Sequence, residues 1–315
     1  MKKIFFFGFL YVDKKAGKLN FQSKNFEERY SVYLKNAALL NLSIRKCGYK
    51  FVILTNNKAY IEKKIKKEIK DSICIQEILF NTSVPRNMHF FSCHYRVDVF
   101  RYFSKLKNTI SILLDLDVVI IKNLKKINFN VFSNSGIVHD ISSNIFPAYG
   151  LKKISCDLEM LTGFKINNAK WYGGDFIAGS ENFFHILYLK TKKYQAKLVK
   201  LSKKFPNYTD EFFLTAAILD IEKNTNYKIV DGSKIKIWSR YWSVNTKHKQ
   251  NKIENYLKFF MLHLPADKNF IANFYDSLGS AKYFKTAYVS KINSYSHRLL
   301  NKLKKIVKFF IKISF

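Results

Sequence analysis

The chain has 315 residues, 48% of them hydrophobic, enough to bury a substantial core in one α/β domain with an appendage. Its 55 Lys and Arg against 23 Asp and Glu leave a formal net charge of +32, which calls for anionic partners; only seven of the basic residues are Arg, so diffuse lysine favours a membrane surface over sequence-specific reading of nucleic acid. Four scattered cysteines, Cys47, Cys74, Cys93 and Cys156, form no C-x-x-C pair, which suggests neither a disulfide framework nor a thiolate zinc site and fits a reducing cytoplasm.

After Met1, Lys2 and Lys3, the apolar run at residues 4–12 is too short to span a bilayer, has no small-residue cleavage site after it and meets Asp13 and Lys14 at once; it reads as a buried strand. Tyr30, Leu34, Ala37, Ala38 and Leu42 then recur at helical spacing within 27–46, and Gly48 stops that helix. Phe51-Val52-Ile53-Leu54-Thr55 is a second strand, so the opening is a βαβ unit and a parallel α/β sheet is expected. Residues 58–70 form a lysine-rich helix and 73–79 a short strand. Residues 94–106 are helical by pattern, with Val97, Phe100 and Phe103 on one face and Arg96 and Arg101 elsewhere; 109–121 is the most apolar strand of the chain. Periodicity does not resolve 131–170, whereas 172–180 reads as strand and turn and 181–200 as a helix. No internal repeat, transmembrane-length segment or obvious linker stands out. The expected organisation is therefore a domain over 1–285 and a basic tail over 286–315, in a cytoplasmic protein peripheral to the inner membrane.

In Leu113-Leu114-Asp115-Leu116-Asp117-Val118-Val119 two carboxylates sit two residues apart in a strand-forming run, and strand alternation would project them from one side. Like charges that close among apolar neighbours are costly unless a cation compensates, and hard oxygen ligands favour Mg2+ or Mn2+ able to bridge a diphosphate. Read alone, the pair is equally a solvated strand end.

With the preceding helix, this strand and D-x-D resemble those of retaining GT-A glycosyltransferases, especially family 8, in which a basic residue one helix upstream contacts the donor; Arg96 matches it. Trp171-Tyr172-Gly173-Gly174-Asp175-Phe176 is similar to the glycine-rich segment of the same enzymes and closer to family 6. There, glycines let backbone approach a sugar and Asp175 bonds hydroxyls; read alone, Gly173 and Gly174 are turn residues. Thr209-Asp210-Glu211-Phe212 resembles the acidic motif before a helix, and is otherwise an ordinary cap with acids in the first turn. Met261-Leu262-His263-Leu264-Pro265-Ala266-Asp267-Lys268 is similar to the C-terminal family 8 element, without its glycine and its proline-aromatic pair.

The resemblance implies a GT-A, Rossmann-like nucleotide-sugar-binding fold with a mostly parallel central sheet. It implies Mn2+ or Mg2+ on Asp117 and His263, with Asp115 on the metal or on the donor ribose, and a donor diphosphate met by Lys268 and Arg96. A nucleobase would stack near Phe7, Phe9 and Tyr11, although such aromatic residues also simply fill cores. Glu211 would lie beneath the anomeric carbon and Asp210 would orient donor or acceptor; an inverting enzyme would use one of these acids as a general base. The implied partners are a nucleotide-sugar donor of the UDP-sugar type and a glycan or glycolipid acceptor such as lipooligosaccharide or capsule, with no nucleic acid. A nucleotidyltransferase would carry a glycine-rich basic loop after the first strand, where this chain has one glycine, Gly17. A non-catalytic membrane- or RNA-binding protein would account for the charge but not for the ordered acidic motifs. In the tail, Leu299, Leu303, Ile306, Phe310 and Ile313 recur at three- and four-residue spacing among lysines. That pattern is a basic amphipathic helix suited to an anionic membrane, or else a last helix packed on the domain.

Overall fold

Strand β1 (Lys3–Leu10), helix α1 (Phe26–Lys46) and strand β2 (Lys50–Thr55) form the expected βαβ unit, with β1 and β2 parallel neighbours. The Asn25 side chain accepts the Glu28 amide to cap α1. Glu27 and Glu28 lie in its first turn and Arg45 and Lys46 in its last, the charge order a helix dipole favours. Gly48 follows at φ +82°, where an L side chain would be strained. The computed structural model of the chain describes residues 2–13, 25–69, 73–85, 88, 90–205, 209–244, 250–278 and 283–294. The amphipathic helix expected over 296–315 lies outside the described residues.

Helix α2 (Lys58–Glu68) and strand β3 (Cys74–Glu77) complete the first half. The expected helix over 94–106 resolves into a 3-10 turn at Phe91–Tyr95 followed by α3 (Arg96–Phe103), which leads into β4 (Thr109–Leu114). After β5 (Val118–Ile120) come β6 (Ser135–Asp140), α4 (Ser142–Tyr149) and α5 (Leu151–Thr162), the elements that periodicity left unresolved. Next are β7 (Tyr172–Ser180), α6 (Glu181–Lys200), α7 (Asp210–Asn224), β8 (Lys228–Asp231) and β9 (Trp238–Arg240). The chain continues through α8 (Ile253–Tyr256), β10 (Met261–His263), α9 (Lys268–Leu278) and α10 (Phe284–Asn293).

The central sheet has seven strands in the order β3-β2-β1-β4-β7-β6-β8, and only β7 runs against the others. It is an α/β protein with a mostly parallel sheet, compatible with a Rossmann-like fold. Alternation along β1 and β2 divides the core. Phe7, Val52 and Leu54 pack with α3, α6 and α7 on one face, and Phe6, Phe51 and Ile53 with α1 on the other. A second sheet, β5-β10-β9, joins α9 and α10 around Leu262, Ile271, Phe284 and Tyr288. The helix that straddles residue 285 thus packs into this third cluster.

One expected element is two. The apolar run at 109–121 breaks after Leu114: β4 belongs to the large sheet and β5 to the small one, with Asp115, Leu116 and Asp117 in the bend between them. The Asp115 amide still bonds the Asp175 carbonyl on β7 at 3.1 Å, whereas the Asp117 carbonyl accepts from Leu264 beyond β10 at 3.0 Å. A change of sheet partner, not strand pleating, therefore sets where the two carboxylates point.

Candidate metal and substrate site

In an open α/β sheet, a crevice forms at the carboxyl ends of strands where successive connections leave in opposite directions. Here the chain runs from β1 outward through β2 to β3 and then returns to β4 on the other side of β1, so that point lies between β1 and β4. A cleft of about 540 Å³ opens there, bordered by Phe9 near the end of β1, by Tyr11 and Asp13 beyond it and by Asp115 to Asp117 after β4. Six carboxylates and four permanent cations line it, an excess of two negative charges on a chain whose net charge is +32. One divalent cation would balance that excess.

His263, the last residue of β10, organises the negative end. Its Nδ1 lies 2.7 Å from Asp175 Oδ2, and its Nε2 lies 3.3 Å from Asp117 Oδ1 and 3.7 Å from Asp115 Oδ2. A carboxylate on Nδ1 holds the ring proton there and aims the Nε2 lone pair between the two aspartates, the way a carboxylate orients a metal-binding imidazole. Ligand atoms of Asp115, Asp117 and His263 all lie within 4.8 Å of one another, so this cluster can hold a metal ion. Two carboxylates, one imidazole and an open side facing the cleft suit a hard divalent cation that keeps positions for water or phosphate.

Without that cation, nearby protein charges set the titration. Burial opposes a charge on His263, but Asp117 and Asp175 overcome it and raise the imidazole to about 9. Burial also works to raise Asp117, yet Lys268, 2.6 Å from its Oδ2, together with His263 holds it well below the usual carboxylate range. In Asp115 desolvation wins against Arg96 and His263, and the carboxyl is raised.

The opposite wall is built from arginine. Arg96, at the start of α3, donates from Nη2 to Asp115 at 2.6 Å and from Nη1 to Asp210, tying the end of β4 to the first turn of α7. Arg240 at the end of β9 reaches Glu211 at 3.5 Å and Asp175 at 3.7 Å, and Trp171 Nε1 donates to Glu211 at 3.0 Å. Burial would raise Asp175, but His139, His263 and Arg240 hold it well below its ordinary range. Asp210 goes the other way, raised by burial despite Arg96. The Thr209 hydroxyl caps α7 through the Glu211 amide, so the capping reading of this motif holds alongside its place at the cleft.

Of the residues expected at the site, Phe9, Tyr11, Arg96, Asp115, Asp117, Asp175, Asp210, Glu211, His263 and Lys268 all border the cleft. Phe7 does not. It shares the face of Phe9 but sits two residues, roughly 7 Å, deeper along β1, and packs in the core 4.6 Å from Phe103. Gly173 and Gly174 do not line the cleft either. A Cβ on Gly174 would collide with Arg96 Nη1 and lie 2.6 Å from Asp210 Oδ2, and one on Gly173 would lie 2.6 Å from Asp175 Oδ1. Both glycines therefore make room for the protein's own ion pairs. One face of Tyr11 is taken by Tyr95, stacked at 4.3 Å.

Sequence reasoning missed Arg240, Arg29, His139 and the Trp171 indole. A usable signal was arginine scarcity: of seven arginines in the chain, Arg29, Arg96 and Arg240 line the cleft, whereas Lys268 is the sole lysine that does so among the described residues. What these observations define is an α/β protein with a candidate divalent-cation site in its switch-point crevice. Neither the family models nor the curated proteins compared with this chain give a match.

Proposed function

We propose that the protein is a metal-dependent glycosyltransferase of the GT-A type, moving a hexose or N-acetylhexosamine from a nucleotide sugar to a glycan or glycolipid acceptor. The observation that carries this reading is His263 Nε2 facing Asp115 and Asp117 at the mouth of the β1–β4 crevice, with Glu211 and Asp210 across the same cleft. The nucleoside would occupy the β1 side near Phe9 and Tyr11. The diphosphate would lie at Asp115, Asp117 and His263, and the sugar beside Asp175, Asp210 and Glu211.

Mn2+ or Mg2+ bound at the triad would neutralise charge on the departing nucleoside diphosphate. Lys268 adds a protein cation at the same place and exchanges its contact with Asp117 for a phosphate oxygen. Arg96 holds Asp210 beneath the cleft, and Trp171 with Arg240 fixes the Glu211 carboxylate so that little reorganisation is needed when positive charge develops on the sugar ring. A fixed carboxylate clamped by two donors supports nucleophilic or electrostatic help to the anomeric carbon, and hence retention of configuration.

Among the described residues no helix is long and apolar enough to cross a membrane, so a lipid-carried acceptor would be met from the surface. The decisive experiment is to titrate the purified chain with Mn2+ and a panel of nucleotide sugars while following donor hydrolysis. Metal-dependent release of one nucleoside diphosphate supports the reading. Hydrolysis unaffected by EDTA, or no turnover of any donor despite tight metal binding, overturns it.

A further inference from the structure

Residues 182–209 contain seven lysines and neither aspartate nor glutamate, and most of them lie on α6. The fold gives that helix a defined course. It begins at Glu181, whose carboxylate meets Lys2 at 2.8 Å and the Asn108 amide at 3.4 Å, so its start lies at the sheet edge remote from the cleft. Twenty residues span about 30 Å, and α6 carries the chain back to the cleft edge, where α7 begins with Asp210 and Glu211.

The outer face of α6 is uniform. Lys192, Lys193, Ala196 and Lys200 are exposed at three- and four-residue spacing, Leu189 is 50% exposed on the same face, and Lys203 and Lys204 continue the line beyond the helix. Asp220 engages Lys190 at 2.8 Å and Lys193 at 3.7 Å; nearby, Lys170 before β7 meets Glu222 on α7, and Lys153 meets Asp157 within α5, each at 2.5 Å. Among the described residues Lys192, Lys200, Lys203 and Lys204 make no ion pair.

We propose that this α6 stripe is a docking surface for an anionic lipid bilayer, setting the cleft edge at Asp210 and Glu211 toward the membrane. The chemistry favours lipid over nucleic acid. The stripe holds no arginine, the residue that forks onto phosphates and stacks on bases, and it places an exposed leucine among compact ammonium groups, as an interfacial surface does. Lys192 lies over the Tyr188 ring at 5.9 Å, an amphipathic pair suited to the headgroup region. The proposal does not depend on what reaction the cleft performs.

Two measurements on the full chain test it, using phosphatidylcholine vesicles with and without phosphatidylglycerol. The triple variant Lys192→Glu, Lys200→Glu, Lys203→Glu should bind anionic vesicles at least roughly tenfold more weakly than the unaltered chain, with unchanged melting temperature and Mn2+ affinity. In a chain with Cys74→Ser and Cys156→Ser, an environment-sensitive fluorophore on Leu189→Cys should shift to the blue when anionic vesicles, but not neutral ones, are added. Undiminished vesicle binding by the triple variant overturns the proposal. So does a silent label at position 189 while the protein co-sediments with the vesicles, or a triple variant that loses binding to short single-stranded RNA and keeps its vesicle affinity.

Discussion

The cleft and the outer surface of α6 use charge in opposite ways. The cleft gathers six carboxylates with three arginines and one lysine, most of them paired with an opposite charge, and is two charges negative before His263 is counted. The α6 face spreads lysines at helical spacing with few partners. Arginine forks fix geometry, as Arg96 does between Asp115 and Asp210, whereas mobile ammonium groups build a field without fixing anything. The difference teaches that net charge says nothing about a site: a chain at +32 can still build a pocket in which carboxylates outnumber permanent cations.

The comparison breaks most sharply at Asp117. Asp117→Asn should lower metal-dependent turnover by about a thousandfold or more and abolish Mn2+ binding by calorimetry, with the fold retained. Asp157→Asn, a half-buried α5 carboxylate that pairs with Lys153 and does not line the cleft, should leave turnover unchanged. Equal effects from both substitutions would mean the cleft carboxylates are ordinary ion-pair partners.

Glu211→Gln sharpens the division within the cleft. Because Trp171 and Arg240 hold this carboxylate in place, its loss should reduce kcat by roughly a hundredfold while nucleotide affinity changes less than about threefold. A parallel loss of both would make Glu211 a binding or capping residue.

Gly174→Ala comes next in size. The added methyl meets Asp210 Oδ2 and the Arg96 guanidinium, so it should push the two apart, lower turnover by about tenfold and cost roughly 1–3 kcal/mol of stability in chemical denaturation. If the glycine instead gives way to a sugar, the alanine would raise the donor KM without touching stability.

How much of this was legible in the sequence depends on the range of the interaction. The βαβ opening, β7 and α6 follow from local apolar spacing and lie where that spacing puts them. The aspartate pair was visible too, but not the break at Leu114, because periodicity cannot see a strand exchanging β7 for β10 as its neighbour. Phe7 was misplaced for want of depth: period-two alternation gives the face of a strand, not how far a residue lies from its end. Arg240 lies on a three-residue strand and meets Asp175 across 65 positions, a contact that only tertiary structure supplies.

The smallest effect is the most diagnostic, because it asks whether His263 is a metal ligand or a substitute for the metal. In the metal-free protein its imidazole is raised from 6.5 to about 9 by Asp117 and Asp175 against the effect of burial. The charged ring therefore stabilises the fold fully below about pH 6.5, and that stability is lost as pH rises through about 9. The metal-free melting temperature should accordingly fall by roughly 5 °C across this window. A metal ligand must give up the Nε2 proton, so Mn2+ affinity should run the other way, rising about tenfold per unit between about pH 6 and 8. Calorimetry in buffers of different ionisation enthalpy should show about one proton released per ion bound over the same range. His263→Asn should flatten both curves. If affinity for Mn2+ is level with pH while the metal-free melting temperature still falls, His263 stays protonated beside the bound ion, acts with Lys268 as a permanent counter-charge to the carboxylates, and is not a ligand.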